Sequence, residues 1–189
     1  MTGLRYELAG VIGGADALSG AAAVLGIEAV PLDAADLVLL PVTAELAAQV
    51  TPAALCALGM DAMPGGTPQA AQRRETWLTG PESGFSVLTP GLVALLEAAS
   101  TRGSLAYVEA DYLGLVGHQT AAVWRAGSLV TGPLLLGRQE EFVSSTAPVS
   151  VALRELGVVA AGRSDEFVVA GLGRHRRTAD WLRPGRRRP

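Results

Sequence analysis

Between Ser104 and Trp124 the chain reads Ser-Leu-Ala-Tyr-Val-Glu-Ala-Asp-Tyr-Leu-Gly-Leu-Val-Gly-His-Gln-Thr-Ala-Ala-Val-Trp. Small or aliphatic residues alternate with larger or polar ones on either side of a glycine-bearing break. This predicts two strands, 104–112 and 118–125, joined as a hairpin. A short connection forces antiparallel pairing, because parallel neighbours need a long crossover. Side chains two apart on a strand share a face and lie about 6.5–7 Å apart. Tyr107, Glu109 and Asp111 therefore fall on one face, and Ala106, Val108, Ala110 and Tyr112 on the other. The aliphatic set suits burial under helices, which leaves the carboxylates toward solvent or a cleft.

The remaining segments mix helices and strands without regular alternation. Residues 4–12 read as a strand, and Gly13-Gly14 leads into an alanine-rich helix over 15–25 that Gly26 would end. Short strands are expected at 27–32 and 37–42, turning at Asp33 to Asp36. Thr43, Thr51-Pro52 and Thr89-Pro90 each supply a helix N-cap, the last ahead of the apolar stripe Leu92, Val93, Leu95 and Leu96. Residues 60–84 hold three prolines and four glycines, predicting a long surface connection tethered by Trp77. Arg125-Ala-Gly127 is a turn into a strand over 128–132, followed by a loop over 133–146. Helices are expected at 148–156 and, capped by Ser164, at 165–170. Adjacent strand pairs with helices predict an α+β domain over 1–173, its antiparallel or mixed β-sheet covered by helices packed mainly on one face.

Charge is unevenly distributed. Residues 1–173 carry eight arginines and seventeen acids, a charge of −9, whereas residues 174–189 carry seven arginines and one acid, +6. The expectation is an acidic body with a basic C-terminal tail over 174–189, disordered over 183–189, in which Arg174 to Arg177 lie against the acidic body and Asp180, Trp181 and Leu182 form a packing or docking element. Lysine and asparagine are absent and isoleucine occurs twice, the codon signature of a GC-rich, bacterial genome. An arginine here is weaker evidence for anion binding than usual, since lysine is not in use. The lone Cys56 excludes an internal disulfide, and its apolar helical context predicts a buried, inert thiol. Acids interrupt every apolar stretch short of the ~18–20 residues of a membrane span. No basic leader precedes an apolar run, so a cytoplasmic setting is expected.

Familiar catalytic patterns are missing. His118 and His175 belong to no metal spacing, Gly10 to Gly14 lacks the spacing of a phosphate cradle, and no G-x-S-x-G elbow occurs. No cofactor is expected. The basic end could contact nucleic acid, but no recognised motif or aromatic interleaving accompanies it and the body is acidic. Two functional readings follow from the hairpin. In the first, Tyr107, Glu109, Asp111, Tyr112, His118, Gln119, Trp124 and Arg125 form an acidic, aromatic-tipped face that engages a basic protein without catalysis; an inhibitor or immunity-type role fits. In the second, Glu109 or Asp111 acts as general base and His118 as acid on a small molecule, with Arg125 orienting it. The competing structural reading is a polar sheet face whose acids pair with arginines.

Overall fold

Strands as continuously apolar as Leu37 to Pro41 cannot leave one face in water. The structure, a computed structural model, describes residues 5–34, 36–57, 76–114, 116–160, 162 and 165–183. Strand β1 (Arg5–Gly14) runs directly into α1 (Ala15–Leu25), and β2 (Val30–Pro31) and β3 (Leu37–Pro41) follow. Next come α2 (Ala44–Gln49), α3 (Pro52–Ala57), a helical turn α4 over 76–79, and α5 (Pro90–Ala99). A meander of β4 (Leu105–Leu113), β5 (Val116–Arg125) and β6 (Ser128–Leu136) leads to α6 (Pro148–Glu155), α7 (Glu166–Val169) and α8 (Thr178–Trp181). The six strands form one sheet in the order β2-β3-β1-β4-β5-β6, and every neighbouring pair is antiparallel. The fold is α+β.

Helices lie on both faces. Over one, Leu18 and Leu25 of α1, Ala47 of α2, Leu55 of α3 and the Leu92, Leu95 and Leu96 stripe of α5 pack on Val11, Leu40, Tyr107, Ala122 and Trp124. Over the other, Val149, Ala152 and Leu153 of α6, with Leu172 and Trp181, pack on Leu8, Ile12, Leu39, Val108 and Val123. The first face carries more helix, and α6 and α8 cover the second. This corrects the pleat expected for β4. Its Tyr107 and Glu109 side is a core face, because α1 and α5 have apolar stripes of their own that must also leave water.

Local signals are realised closely. Thr43, Thr51 and Thr89 accept hydrogen bonds from the Leu46, Ala54 and Leu92 N–H groups at 3.4, 3.2 and 3.2 Å. Ala126 and Gly127 both have positive φ, 50° and 77°, giving the tight turn whose twist matches a hairpin. Several expectations change. Only Val30–Pro31 of the 27–32 segment is strand. Strand β6 continues past Pro133, a residue an edge strand tolerates, next to register shifts opposite Ala121 to Val123. Ser164 lies outside the described residues, and Asp165 caps α7 instead, accepting from the Val168 N–H at 2.9 Å. Of the expected connection, 60–75 lies outside the described residues; in the remainder the anchor is buried Leu78, while Trp77 is exposed. Cys56 is exposed rather than buried, since neighbouring Leu55 takes the core side of α3.

The folded body also extends beyond residue 173. Strand β3 pairs only with Gly10 to Gly14, leaving the outer edge of β1 unpaired over its first half. Residues 176–178 lie along that edge in parallel. The Glu7 N–H donates to the Arg176 carbonyl at 2.7 Å, and the Ala9 N–H to Thr178 Oγ1 at 3.0 Å. Trp181 is buried in the second core, with the Arg174 guanidinium 5.1 Å from its ring centre and Arg174 paired with Asp33 at 3.2 Å. Residues 184–189 lie outside the described residues.

Candidate functional site

Register across the sheet decides which of the hairpin's polar residues meet. Glu109 faces inward, 3% exposed, beneath the chain leading into α5. One carboxylate oxygen accepts from the Ser86 N–H at 2.8 Å and the Ser86 hydroxyl at 2.6 Å; the other accepts from the Val87 N–H and the Tyr107 hydroxyl, both at 2.9 Å. Four donors replace the water lost on burial, and no cation is among them. The Phe85 ring packs against that of Tyr107, their centres 5.5 Å apart. Burial, with the charge and hydrogen bond of Glu109, pushes the Tyr107 phenol well above its usual range, so it remains a donor. Glu109 thus holds residues 85–87 onto the sheet. Nothing in its shell is open to a substrate.

Asp111 lies two residues on, near the open end of the same face, with its side chain 25% exposed. Opposite it stand Glu7 on β1 and His118 on β5, a cross-strand row on one face. Arg5 Nε bonds Asp111 at 3.1 Å, Arg138 approaches its other oxygen at 3.5 Å, and Arg5 also reaches Glu7 at 3.7 Å. Asp111 and His118 are therefore brought together, as expected, but the carboxylate is held by two arginines. Glu7, Arg5 and Arg138 were not foreseen. Pairing β1 with a strand about a hundred residues away leaves no local mark, and Arg138 falls where a loop was expected.

The other candidates separate. Tyr112 is half-buried on the opposite face, over Gly117, where any β-carbon would collide with its ring and with the Asp111 carbonyl. Gln119 is buried on that face too, and its Oε1 accepts from the Val149 N–H at 3.2 Å, fixing the first turn of α6. Trp124 is fully buried in the first core. Arg125 is at the far end of β5, donating to Ser104 Oγ at 2.9 Å and pairing with Glu155 at 3.6 Å. It lies seven positions along the strand from His118, roughly 23 Å. A shallow cavity of about 520 Å³ opens at that far end, lined in part by Asp16, Asp36, Arg102, Ser104 and Glu155. It includes neither Asp111 nor His118. Among the described residues, no group of three or more His, Cys, Asp or Glu is placed to hold a metal ion.

Around Asp111 the sheet end is apolar at its margins. Leu113 and Val116 face each other across the hairpin tip, and Leu135 of β6 pairs with Thr120; all three are exposed. The connection leaving β6 adds exposed Phe142 and Val143 directly after exposed Glu140 and Glu141. Contiguous exposed apolar groups mark interaction surfaces more often than scattered ones do, and Leu113 and Val116 are contiguous at this tip. Among the described residues, no helix is long and apolar enough to cross a membrane. No protein-family model, curated protein or solved structure matches the chain.

Proposed function

We propose that this chain is a non-catalytic binding protein of the cytoplasm that engages a basic protein through the open end of its sheet. The observation carrying this reading is the exposure there of Leu113, Val116 and Leu135, with Phe142, Val143 and the acids Glu140 and Glu141 exposed on the connection that leaves β6 at that end. Such a surface offers apolar area to desolvate at the centre and carboxylates to steer a cationic partner. It replaces the expected aromatic-tipped face, whose Tyr107 and Trp124 lie in the core. The acid/base alternative draws little support from the geometry, since Glu109 is enclosed by four donors, Asp111 is held by Arg5 and Arg138, and the cavity lies at the other end.

The test compares capture of partners by wild type and by Glu140→Arg/Glu141→Arg and Leu113→Asp variants, each first shown to fold by circular dichroism. Loss in both variants of a basic protein retained by wild type is the expected result. Equal recovery by all three proteins would remove the reading.

A further inference from the structure

Glu109 is a buried carboxylate with no cation among its partners, although acids this deep are ordinarily paired with an opposite charge. Three of its four donors come from Ser86 and Val87, and only the Tyr107 hydroxyl belongs to the sheet. The cover above it is thin, since Ser86 is itself exposed. Directly across from Glu109 on β5 stands Thr120, which is fully buried. Among the described residues its hydroxyl has no hydrogen-bond partner. Gly84 lies so close to the Thr120 methyl that a β-carbon there would collide with it. Residues 84–87 therefore roof both an acid that lacks a cation and a hydroxyl that lacks a partner. The roof is lightly tied. Among the described residues, the Phe85 N–H bonds to Ser83 Oγ, and those of Ser86 and Val87 bond to Glu109 rather than to a strand. Buried Ser83 and Leu88 fix its two ends. Segments with few ladder bonds open locally at less than the cost of global unfolding.

We propose that residues 84–87 are a displaceable cover, standing in for a guanidinium group that Glu109, Tyr107 and Thr120 bind once the cover lifts. The donor count selects that group. Lifting removes both donors from one Glu109 oxygen and one of the two from the other, leaving only Tyr107. A guanidinium returns an N–H to each oxygen through its planar fork, brings the missing positive charge, and keeps further N–H groups for the Thr120 hydroxyl. An ammonium lacks the fork and fits less well. The inference rests on the proposed basic partner only for the source of an arginine; a small guanidinium compound tests the site without that partner.

Amide hydrogen exchange of the full chain, followed residue by residue by NMR during titration with N-acetylarginine amide, reads the outcome. The expected result is a saturable acceleration at the Ser86 and Val87 amides while the β4–β5 amides stay slow. N-acetyllysine amide should bind about tenfold more weakly, and sodium chloride at equal ionic strength should not reproduce the saturation. Thr120→Val removes a hydroxyl that is idle under the cover, so it should leave the urea midpoint no lower yet weaken binding about tenfold. Ser86→Ala, at an exposed position, removes one fastening and should strengthen binding about fivefold; it also covers the case in which Thr120→Val harms folding. Unchanged exchange at Ser86 and Val87 throughout the titration overturns the inference, as does acceleration matched by sodium chloride, or an affinity unchanged by either substitution. None of these outcomes touches the basic-partner reading, which the capture experiment decides by itself.

Discussion

Glu109 offers a sharp test, because replacing it with glutamine keeps the shape and removes only the charge and one acceptor. In the native protein its two oxygens accept four hydrogen bonds from Ser86, Val87 and Tyr107. A glutamine can direct its carbonyl toward the Val87 N–H and Tyr107 hydroxyl. Its amide then meets the Ser86 N–H donor to donor, while the Ser86 hydroxyl can rotate to accept. The backbone N–H of Ser86 loses its partner, at a cost of about 1–3 kcal/mol. The two surviving bonds fall from charge-assisted to neutral strength, about half their former value, or roughly 1 kcal/mol each. Burying a neutral amide rather than a carboxylate offsets part of this. The net expectation is a loss of about 2–4 kcal/mol, equivalent to a fall in melting temperature of roughly 5–15 °C for a domain of this size. Urea unfolding should show a lower midpoint with an unchanged slope. Hydrogen exchange should speed up at the Ser86 and Val87 amides while the β4–β5 amides stay slow. A glutamine variant with a wild-type midpoint and protected Ser86 would refute the account of Glu109 as the fastening of residues 85–87.

Three further outcomes are expected. Ala126, held at φ 50° in the β5–β6 turn, should gain about 0.5–1 kcal/mol when replaced by glycine, read as a raised denaturation midpoint. Thr178→Val should cost about 1–3 kcal/mol by orphaning the buried Ala9 N–H, whereas Ala179→Ser on the exposed side of the same turn should be neutral in the same assay. Burial opposes ionisation of Glu166, but hydrogen bonds from Arg154, its own backbone N–H and Ser150, together with the charge of Arg154, outweigh it and hold the carboxyl below its ordinary range. A depressed folded value means stability that is present above the ordinary carboxylate range and lost as pH falls through the lowered one. Urea midpoints measured between about pH 6 and pH 3 should therefore fall less steeply for Glu166→Gln than for wild type.

What could be read from the sequence was local. Threonine caps at 43, 51 and 89, the glycine at 26 and the 125–128 turn depend on neighbours within a few residues, and all are found. The strand pair at 105–125 was legible for the same reason. The orientation of its polar residues was not. Alternation states that Tyr107, Glu109 and Asp111 share a side, but it is silent on whether that side meets water or a set of hydrogen-bond donors brought from 86 and 87. The donors come from a segment after the long connection, whose course leaves no periodic mark. Glu7 joined the row for a similar reason, since β1 and β4 meet only when the whole sheet closes. The tail was legible in part. Arg174 pairs with Asp33 and Trp181 packs, as its place between the basic clusters suggests, but the pairing of residues 176–178 with the β1 edge leaves no mark in composition.

The placement of residues 176–178 along the first strand has a consequence for biosynthesis. The free edge of β1 is covered by a segment made 169 residues later, so that edge stays open during synthesis until residues 176–181 have emerged. A chain cut before Thr178 would have the Ala9 amide unmated and the seat of Trp181 empty.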